Sequence, residues 1–588
     1  MNRQVICAFL GLAIVIAPGT GSTQEFVETA KLLVDDVDAG IELGRRVAVS
    51  GDVIVIGDPG NAEQGADVGA AYVFNLDGGD WVLQDKLLAS DGAGGNVQSF
   101  GVSVAVDGDT IVVGNPNNDE PGADAGAAYV YVRNGATWVQ QEKIMATDAM
   151  PGDRLGWSVA IEGDTIVAGA RGVNSVNDSD VGAAYVFVRS GGDWTEQDKL
   201  MADISNDIDW LGSSVAVSGD TALAGAWGCC DSNAIGTGAA YVFVRDGATW
   251  SQQAKLLADD GSGQDQFGWS VAVEGDQALI GAPQDRVLGS FSGSVYAFER
   301  SGTMWTQADQ LLPDEDGGTF GVSVSMSGDL TLFGDINSAA AHPGGATYIF
   351  QRTGNSWAQQ QKFSAGDSEV GDAFGFASDL SGTTAVIGAR GDDDLGDDAG
   401  AAYVFRAVHF DDVPSDYWAF PFIEKLFDSG ITSGCGPRLY CPGTSVTRAQ
   451  MAVFLERGMN GSSYAPPAAT GNVFLDVGAG DFAASFIEQL FLDGITSGCG
   501  NNNYCPDAEV TRDQMAVFLL RAKYGAGYSP PPATGVFADV PLGYWVGAWI
   551  EQLAAEGITA GCGGGNYCPD AQVTRDQMAV FLVRTFGL

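Results

Sequence analysis

The sequence predicts a multidomain chain: an all-β propeller of seven blades, followed by a mainly α bundle of three repeats. Two series of internal repeats indicate this division. Seven units begin with a Leu-Gly or Phe-Gly pair at a nearly constant spacing, at Leu43, Phe100, Leu155, Leu211, Phe267, Phe320 and Phe374. Three different units, again evenly spaced, begin at Phe410, Phe474 and Phe537. Regular periods of this kind are typical of units that pack on their neighbours.

Each of the seven units contains four strand patterns. In the second unit these are "VSVAV", "TIVVG", "GAAYVYV" and "TWVQQEKIMA", separated by turns that contain glycine. They are rich in β-branched and aromatic residues, as strands are, and four antiparallel strands per unit are typical of a propeller. The seventh unit lacks its fourth strand, and "FVETAKLLVDD" before the first unit has the missing pattern. We therefore expect a propeller over residues 25–406, with 25–42 completing the last blade.

These units resemble FG-GAP repeats, the blades of integrin α-subunit propellers. The resemblance rests on Phe100-Gly101, Gly108-Asp109 and Gly114 in the second unit and on the same pattern elsewhere. It implies a binding role but no particular ligand, because propellers serve many functions. The turns within the first and second hairpins are tight, whereas the connections on the opposite face are long and acidic. We expect an unknown protein or glycan ligand to bind that loop face.

The densest acidic loop contains Asp392, Asp393, Asp394, Asp397 and Asp398. FG-GAP loops often carry a Ca²⁺ site, and carboxylates suit that ion, so Asp392, Asp394 and Asp398 are candidate Ca²⁺ ligands. The alternative is a solvated acidic loop. Arg390-Gly391-Asp392 spells an integrin-recognition tripeptide, which we attribute to the repeat pattern. Cys229 and Cys230 are adjacent, and the sequence leaves their redox state open.

The three C-terminal units resemble S-layer homology (SLH) domains. They share F-x-D-V at the start, G-I-T in the middle and T-R-[AD]-Q-M-A at the end. The resemblance implies a pseudo-threefold bundle with repeats at 407–468, 469–532 and 533–588. It also implies non-covalent attachment to cell-wall polysaccharide or peptidoglycan. Asp411 and Asp412 precede the first helix as capping candidates, and each second helix begins with Thr and has Gln three residues later, as in a capping box.

The SLH resemblance assigns glycan contact to Arg448, Arg512 and Arg575, which follow Thr447, Thr511 and Thr574. A guanidinium offers two parallel donors to a carboxylate. The alternative is an exposed arginine at a helix N-terminus, where the helix dipole disfavours a cation. The chain departs from the family motif by having Gln in place of Glu in all three repeats, and Asp513 and Asp576 in place of Ala.

Each C-terminal unit also contains a C-x5-C pair: Cys435/Cys441, Cys499/Cys505 and Cys562/Cys568. In an exported protein such pairs predict local disulfides. Zinc is the competing interpretation. It lacks nearby histidine, and two cysteines per unit are too few for a closed site.

The N-terminal residues 1–24 combine Arg3 with a short apolar run, as in a secretory signal peptide, and no later segment has a transmembrane pattern. The formal net charge of −47 disfavours nucleic acid as a partner. The two histidines, His342 and His409, do not recur, and no familiar nucleophile motif is present. We therefore expect a non-enzymatic protein at the bacterial cell surface, with no catalytic residues and no certain cofactor. A Ca²⁺-dependent subunit of a surface layer and an exported hydrolase are the alternatives.

Overall fold

The computed structural model describes residues 25–34, 42–62, 68–77, 80–92, 99–174, 180–203, 209–228, 236–287, 291–314, 318–336, 344–354, 356–396, 398–414 and 417–588. The predicted signal peptide and the Cys229–Cys230 pair lie outside the described residues. Within these ranges, no helix has both the length and the apolar character needed to cross a bilayer.

The N-terminal part forms seven four-stranded antiparallel sheets, which we number as blades 1 to 7. Blade 1 contains β2 (Arg46–Ser50), β3 (Val53–Asp58), β4 (Ala70–Asp77) and β5 (Asp80–Leu87). Blade 2 contains β6 (Ser103–Asp107), β7 (Thr110–Asn115), β8 (Ala127–Asn134) and β9 (Thr137–Ile144). Blade 3 contains β10 (Leu155–Glu162), β11 (Thr165–Ala170), β12 (Ala183–Ser190) and β13 (Asp193–Leu200). Blade 4 contains β14 (Ser214–Ser218), β15 (Thr221–Ala226), β16 (Ala239–Asp246) and β17 (Thr249–Leu256).

Blade 5 contains β18 (Ser270–Glu274), β19 (Gln277–Ala282), β20 (Ser294–Ser301) and β21 (Met304–Leu311). Blade 6 contains β22 (Val324–Ser327), β23 (Leu330–Asp335), β24 (Ala346–Thr353) and β25 (Ser356–Phe363). Blade 7 contains β26 (Phe374–Ser381), β27 (Thr384–Ala389) and β28 (Ala401–Val408), and its outer strand is β1 (Glu25–Leu32) from the other end of the propeller. The architecture confirms the predicted seven-bladed propeller.

The ring is closed at its centre and at its seam. The first strands of the blades follow one another around the axis, and β26 of blade 7 lies against β2 of blade 1. At the outer edge, β1 pairs antiparallel with β28, from Glu25 opposite Val408 to Leu32 opposite Ala402. A ring closed in both ways leaves few unpaired strand edges, which would otherwise promote aggregation.

Close contact between blades explains why glycine recurs near the end of the second strand. A Cβ atom added to Gly225 of blade 4 would lie 2.1 Å from the carbonyl oxygen of Gly268 in blade 5. The same Gly268 has a φ of +91°, which favours glycine. The backbones of neighbouring blades therefore pack directly on each other, and side chains are excluded at these points.

The C-terminal part consists of six helices in three pairs, followed here as repeats 1 to 3. Repeat 1 contains α1 (Phe420–Asp428) and α2 (Arg448–Asn460). Repeat 2 contains α3 (Ala484–Leu492) and α4 (Arg512–Tyr524), and repeat 3 contains α5 (Gly547–Ala555) and α6 (Arg575–Phe586). All three pairs contribute to one apolar core. A single short helix pair is too small to form such a core on its own.

A cyclic set of backbone hydrogen bonds relates the three repeats. The N–H of Val446 donates to the oxygen of Val573, that of Val573 to Val510, and that of Val510 to Val446, at 2.9 to 3.0 Å. These residues lie just before α2, α4 and α6. The bundle is therefore pseudo-threefold about a point where the N-termini of the second helices converge.

Candidate functional site

The three arginines assigned by the SLH resemblance lie where the repeats meet. Arg448, Arg512 and Arg575 are the first residues of α2, α4 and α6. Their backbone N–H groups donate to carbonyl oxygens in another repeat, at Ala508, Ala571 and Thr444 respectively. The convergence of helix N-termini thus brings each arginine against the loop of the following repeat, with repeat 3 returning to repeat 1.

The arginine side chains are buried, at 4 to 5% exposure, so the alternative of an exposed surface arginine is wrong. Arg448 Nε donates to the carbonyl oxygen of Tyr504 at 2.8 Å, and its guanidinium stacks on the Tyr504 ring at 4.7 Å. The Tyr504 hydroxyl donates back to the Arg448 carbonyl at 2.8 Å. The same reciprocal pair joins Arg512 to Tyr567 and Arg575 to Tyr440. Each guanidinium is therefore held rigidly by a tyrosine of another repeat.

Burial lowers the pKa of all three guanidinium groups, although arginine remains charged at any relevant pH. Within the described residues, the Nη2 atoms of Arg448 and Arg575 have no hydrogen-bond partner. Arg512 makes two long contacts of 3.4 Å, to Gln577 and Thr559. A buried donor without a partner is unfavourable, so Arg448 and Arg575 are suited to receive an acceptor from a ligand.

Arg448 lines a cavity of about 440 Å³ that we call the Arg448 groove. It is bounded by residues 495–499 and Cys505 of repeat 2 and by one side of α4, where Phe518 and Arg521 lie. Trp545 of repeat 3 closes the groove, and 67% of its side chain is exposed. Sequence analysis did not identify Trp545, although a Trp at the equivalent position of repeat 1 was an available signal.

The groove combines chemistry that suits an acidic saccharide. The indole of Trp545 presents an electron-rich face to the C–H bonds of a sugar ring. The guanidinium of Arg448 belongs to the lining, and its buried Nη2 is a donor without a partner in the described part of the chain, which suits a hydroxyl or carboxylate. Thr496 adds a hydroxyl to the lining. A rigid cation beside an exposed aromatic ring therefore favours an anionic sugar unit over a purely apolar ligand.

The three arginines related by the pseudo-threefold have different aromatic neighbours. Trp418 of repeat 1 and Phe482 of repeat 2 occupy the position of Trp545, and both are exposed, at 58% and 69%. The pseudo-symmetry places Trp418 with Arg512, and Phe482 with Arg575. Two of the three arginine positions therefore have an exposed indole, whereas the third has a phenyl ring.

The departures from the family motif have a structural explanation in repeats 2 and 3. The carboxylate of Asp513 accepts a hydrogen bond from Tyr544 at 3.1 Å, and that of Asp576 accepts one from Tyr417 at 2.6 Å. Each carboxylate also accepts the N–H of the next residue along the helix, at 2.7 Å. The added negative charges are thus bound by neighbouring donors.

The capping predictions are correct only in part. Thr447 forms the predicted capping box with Gln450. Thr511 and Thr574 occupy the N-cap position but make no cap hydrogen bond, because their hydroxyls donate to Asp513 and Asp576. All three threonines are therefore positioned by their own helices, and a direct contact with glycan stays a prediction.

The three predicted disulfides, Cys435–Cys441, Cys499–Cys505 and Cys562–Cys568, are present, which excludes zinc binding by these thiols. The prediction that Asp412 caps the first helix is wrong. Its carboxylate accepts the backbone N–H groups of Tyr440 and Cys441, both at 2.7 Å. Asp411 instead pairs with Arg438 at 2.6 Å. These aspartates hold the disulfide loop that supplies the tyrosine for the arginine of another repeat.

Glu456 is an exception to the threefold pattern. It is completely buried in α2, where α4 and α6 have Leu520 and Val583. Burial and the nearby carboxylate of Asp493 raise the pKa of Glu456 to about 8. The contact between α2 and α3 therefore contains a carboxyl group that stays protonated near neutral pH.

On the propeller, the predicted calcium ligands lie beside a lysine. Lys31 Nζ is 2.9 Å from Asp392, 2.6 Å from Asp394 and 2.8 Å from Asp367. One oxygen from each of these three carboxylates lies within 4.8 Å of the others, as metal ligands would. Burial alone would lower the pKa of Lys31, but the three carboxylates outweigh it and raise that pKa. The structure thus brings Asp392 and Asp394 together around an ammonium group that supplies the positive charge.

Asp398 is not part of this carboxylate group, which consists of Asp367, Asp392 and Asp394. Its backbone N–H donates to Asp393 at 2.8 Å. Asp397 lies outside the described residues. A calcium site with the predicted ligand set stays a prediction. Asp392 is 3% exposed and Arg390 stacks on Phe376 at 4.1 Å. The Arg-Gly-Asp tripeptide is therefore built into the blade rather than presented as an exposed epitope.

The lysine arrangement recurs around the ring. Outer-strand lysines lie 5.0 to 5.7 Å from the ring of a buried third-strand tyrosine in six blades: Lys31/Tyr403, Lys86/Tyr72, Lys143/Tyr129, Lys199/Tyr185, Lys255/Tyr241 and Lys362/Tyr348. In blade 5, Gln310 takes this position and donates to Tyr296 at 2.9 Å. The outer-strand lysines are thus part of a network of cations, tyrosines and carboxylates next to the acidic loops.

Comparison with known proteins agrees with this division of the chain. The sequence model of the FG-GAP repeat matches residues 26–74, 81–131, 138–187, 194–243, 250–298 and 357–405, just over half of the chain. The S-layer homology domain matches residues 409–452 and 536–579, which fall in repeats 1 and 3. Repeat 2 has the same helix pair in the structure but is outside these matches.

Curated relatives are similar over shorter stretches. An endoglucanase of Bacillus sp. (strain KSM-635) is 34% identical over 119 residues, 20% of this chain and 12% of the relative. An S-layer protein of Bacillus thuringiensis subsp. finitimus is 28% identical, and the S-layer protein sap of Bacillus anthracis is 29% identical, each over 179 residues. The latter two matches cover 30% of this chain and 21% of the relatives.

The family matches and the architecture lead to the same assignment. Each of the six FG-GAP segments runs from the outer strand of one blade through the first three strands of the next, and each S-layer homology segment covers the first helix of a repeat and the start of the second. The chain belongs to the FG-GAP repeat β-propeller family and carries C-terminal S-layer homology domains.

Proposed function

We propose that this is a non-enzymatic protein of the bacterial cell surface. The S-layer homology repeats anchor it non-covalently to cell-wall polysaccharide or peptidoglycan, and the propeller presents a face for adhesion or ligand binding. We place the propeller at 25–406 and the repeats at 407–468, 469–532 and 533–588. The S-layer proteins among the relatives support a location at the cell envelope.

The observation that carries this proposal is the Arg448 groove. The buried guanidinium of Arg448, whose Nη2 has no partner among the described residues, and the exposed ring of Trp545 line the same cavity. Such a donor gains a partner when an acidic sugar binds, and the ring provides a stacking surface. The other two positions each lack one of these features. Arg512 has the indole of Trp418 at the equivalent position, but its guanidinium already contacts Gln577 and Thr559. Arg575 has an Nη2 that is unpartnered within the described ranges, but the equivalent aromatic residue is a phenylalanine.

The test is co-sedimentation of the full chain with purified cell walls. Arg448→Gln alters a buried group and can affect folding, so a second variant, Trp545→Ala, is tested with it. The side chain of Trp545 is 67% exposed, so we expect this substitution to leave folding intact. Loss of a buried charged contact weakens binding by about 2 kcal/mol or more, at least about thirtyfold. Loss of an aromatic contact worth about 1 kcal/mol weakens it about fivefold.

The matched control is Arg245→Gln, which removes the same charge from the propeller, where Arg245 pairs with the exposed Asp220. It should sediment like the wild type. If Arg448→Gln and Trp545→Ala also sediment like the wild type while their helical circular dichroism is intact, wall attachment does not use this groove.

A structural subunit of a surface layer is the second candidate, favoured by the S-layer relatives. In this case the chain would assemble through Ca²⁺ bridges between acidic loop faces. Light scattering of the full chain with and without a chelator separates the two candidates, because assembly without a wall polymer and only with Ca²⁺ supports the layer. The endoglucanase match covers 12% of that relative and carries no argument for hydrolysis here.

A further inference from the structure

Four tryptophans do not follow the repeat pattern of the chain. Of the 13 tryptophans, six recur at the start of the outer strands and three belong to the bundle. The six are Trp81, Trp138, Trp194, Trp250, Trp305 and Trp357, and the three are Trp418, Trp545 and Trp549. The remaining four, Trp157, Trp210, Trp227 and Trp269, all belong to blades 3 to 5. Along the chain, successive members of this set are 17 to 53 residues apart.

These tryptophans form a continuous row that we call the tryptophan arc. The ring centroids of Trp210 and Trp227 are 4.4 Å apart, and those of Trp227 and Trp269 are 5.2 Å apart. The guanidinium carbon of Arg171 lies 3.2 Å from the centroid of the Trp157 ring and 5.9 Å from that of Trp210. Arg171 thus links Trp157 to the other three rings, and all five side chains are half-buried.

The arc lies on the loop face, close to the axis of the ring. Trp157 is near the start of β10, and Trp210 and Trp269 lie just before β14 and β18, the first strands of their blades. Trp227 follows β15 directly, at the edge of the blade where the long connections begin. Since the first strands surround the axis, the arc lies beside the axis on one side of the ring.

The fold does not require aromatic residues at these positions. The residue that follows the second strand is Trp227 in blade 4, but proline in blades 1, 2 and 5 and isoleucine in blade 6. Those blades form the same four-stranded sheets and the same inter-blade contacts. The concentration of half-exposed indoles in three adjacent blades is therefore a property of the surface rather than of the scaffold.

We propose that the tryptophan arc is a carbohydrate-binding site for a chain of neutral or uronic-acid sugars. This names the ligand class of the propeller face and so rests on the proposed function. Indole faces attract the polarised C–H bonds of pyranose rings, and a row of them accommodates successive sugars. Arg171, held against two rings, donates hydrogen bonds to hydroxyl or carboxylate oxygens without further ordering.

Charge narrows the choice of ligand. Within the described residues, the guanidinium of Arg171 lies against indole rings rather than in an ion pair, and the charge of Arg154 acts on it more strongly than the opposite charge of Asp180. A cationic ligand would meet these two positive groups where it would otherwise use the aromatic faces. A polyanion such as nucleic acid is repelled by the net charge of −47 on the whole chain. Neutral sugars and sugars with isolated carboxylates meet neither barrier.

The test is a glycan array of neutral and uronic-acid oligosaccharides probed with the full chain. Trp227→Ala and Trp269→Ala should each weaken binding at least tenfold. The matched control, Trp357→Ala, removes a repeated tryptophan from blade 6 and should retain it. Trp545→Ala is probed beside it to identify any glycan that the Arg448 groove binds instead. Titration of tryptophan fluorescence with cellohexaose and with a xylo-oligosaccharide that carries a single glucuronic acid distinguishes the two sugar classes, and Arg171→Gln should weaken the binding of the acidic one more.

Three results would overturn the inference: no glycan bound on the array, binding that survives both arc substitutions, and binding lost equally in Trp357→Ala. Glycan binding that is lost only in Trp545→Ala would also overturn it, because the signal would then belong to the bundle. Wall co-sedimentation of the arc variants is read separately. It should be unchanged. If the arc proposal is wrong, the glycan-array result changes, whereas if the anchoring proposal is wrong, the co-sedimentation result changes.

Discussion

Replacing Lys31 by methionine tests whether a protein ammonium is the cation that holds the carboxylates of blade 7 together. Methionine keeps the length and the apolar stem of lysine but removes the charge. Lys31 is the better choice among the outer-strand lysines because it contacts three carboxylates, whereas Lys199 has an ion pair with Asp148 alone among the described residues.

The expected magnitude follows from exposure. The side chains of Lys31 and Asp392 are 15% and 5% exposed, whereas Asp367 and Asp394 are 45% and 58% exposed. Exposed pairs contribute about 1 kcal/mol or less, and breaking a buried pair costs about 3–5 kcal/mol. The hydroxyl of Tyr403 still donates to Asp392 at 2.6 Å in the variant. We therefore expect a loss of about 2–3 kcal/mol.

For a propeller of this size, the unfolding entropy of about 2 cal/mol/K per residue converts this loss into a melting temperature lower by about 3 °C. Scanning calorimetry of the full chain measures it. Lys199→Met is the matched control, and it should lower the melting temperature by about 1 °C or less, because Asp148 is 53% exposed.

Calcium chloride provides a second arm of the experiment. In Lys31→Met the three carboxylates lose their cation and become candidates for weak Ca²⁺ binding, so millimolar Ca²⁺ should raise the melting temperature of this variant. The wild type should respond neither to Ca²⁺ nor to a chelator. Equal melting temperatures for the two lysine variants, or a wild type that is destabilised by the chelator, would refute the reasoning. The second of these results would favour the predicted calcium site.

Three further predictions concern stability. The pKa of Glu456 in the folded protein, about 8, exceeds its ordinary value of 4.5. The contribution of this group to the free energy of unfolding is therefore fully present below pH 4.5 and is lost as the pH rises through 8. In urea titrations Glu456→Gln should remove a decrease of up to about 1.4 kcal/mol per pH unit, and an unchanged pH dependence would contradict this. Replacing Cys499 and Cys505 by serine should destabilise the bundle by about 2 kcal/mol and weaken wall co-sedimentation, because their loop carries the carbonyl that fixes the groove arginine; wild-type sedimentation would argue against this coupling. Gly225→Ala places a Cβ 2.1 Å from the oxygen of Gly268, and calorimetry should show a loss of about 1–3 kcal/mol, whereas an unchanged transition would mean that the blades pack less closely.

Most of the fold follows from patterns that are local in sequence. The alternation within "SVAV" and "GAAYVFV", the glycine turns and the regular recurrence of the Leu-Gly or Phe-Gly pair indicate blades, and the T-R-[AD]-Q-M-A segments indicate helices. The match between "FVETAKLL" and the outer strands indicated that the N-terminal strand belongs to the last blade, where β1 pairs with β28. Repetition makes these inferences strong, because the same hydrogen bonds must form in every unit.

The site was predictable only in part. The SLH resemblance pointed to Arg448, Arg512 and Arg575, but the motif does not show that their side chains are buried. The partner of Arg448 is Tyr504, which is 56 residues away, and the partner of Arg575 is Tyr440, 135 residues away. Contacts of this kind form between repeats, so no pattern within one repeat reports them.

The acidic residues of blade 7 also show that sequence patterns within one loop do not predict contacts with distant parts of the chain. Counting aspartates in one loop grouped Asp398 with Asp392 and Asp394, whereas the folded chain groups the latter two with Asp367 and Lys31. Lys31 lies near the opposite end of the propeller sequence from these carboxylates, and closure of the ring brings it to them. A loop's composition therefore indicated its charge but not the cation that balances it.

The sequence by itself determined the units of this protein: seven blades, three helix pairs, three local disulfides and the residue types at each repeated position. These depend on backbone preferences and apolar periodicity over a few residues. Only the tertiary structure decided which units are in contact. The Arg448 groove, the lysine network and the tryptophan arc all form at these contacts. The physical reason is that closing a ring or a threefold bundle brings together side chains that the repeat pattern leaves free to differ.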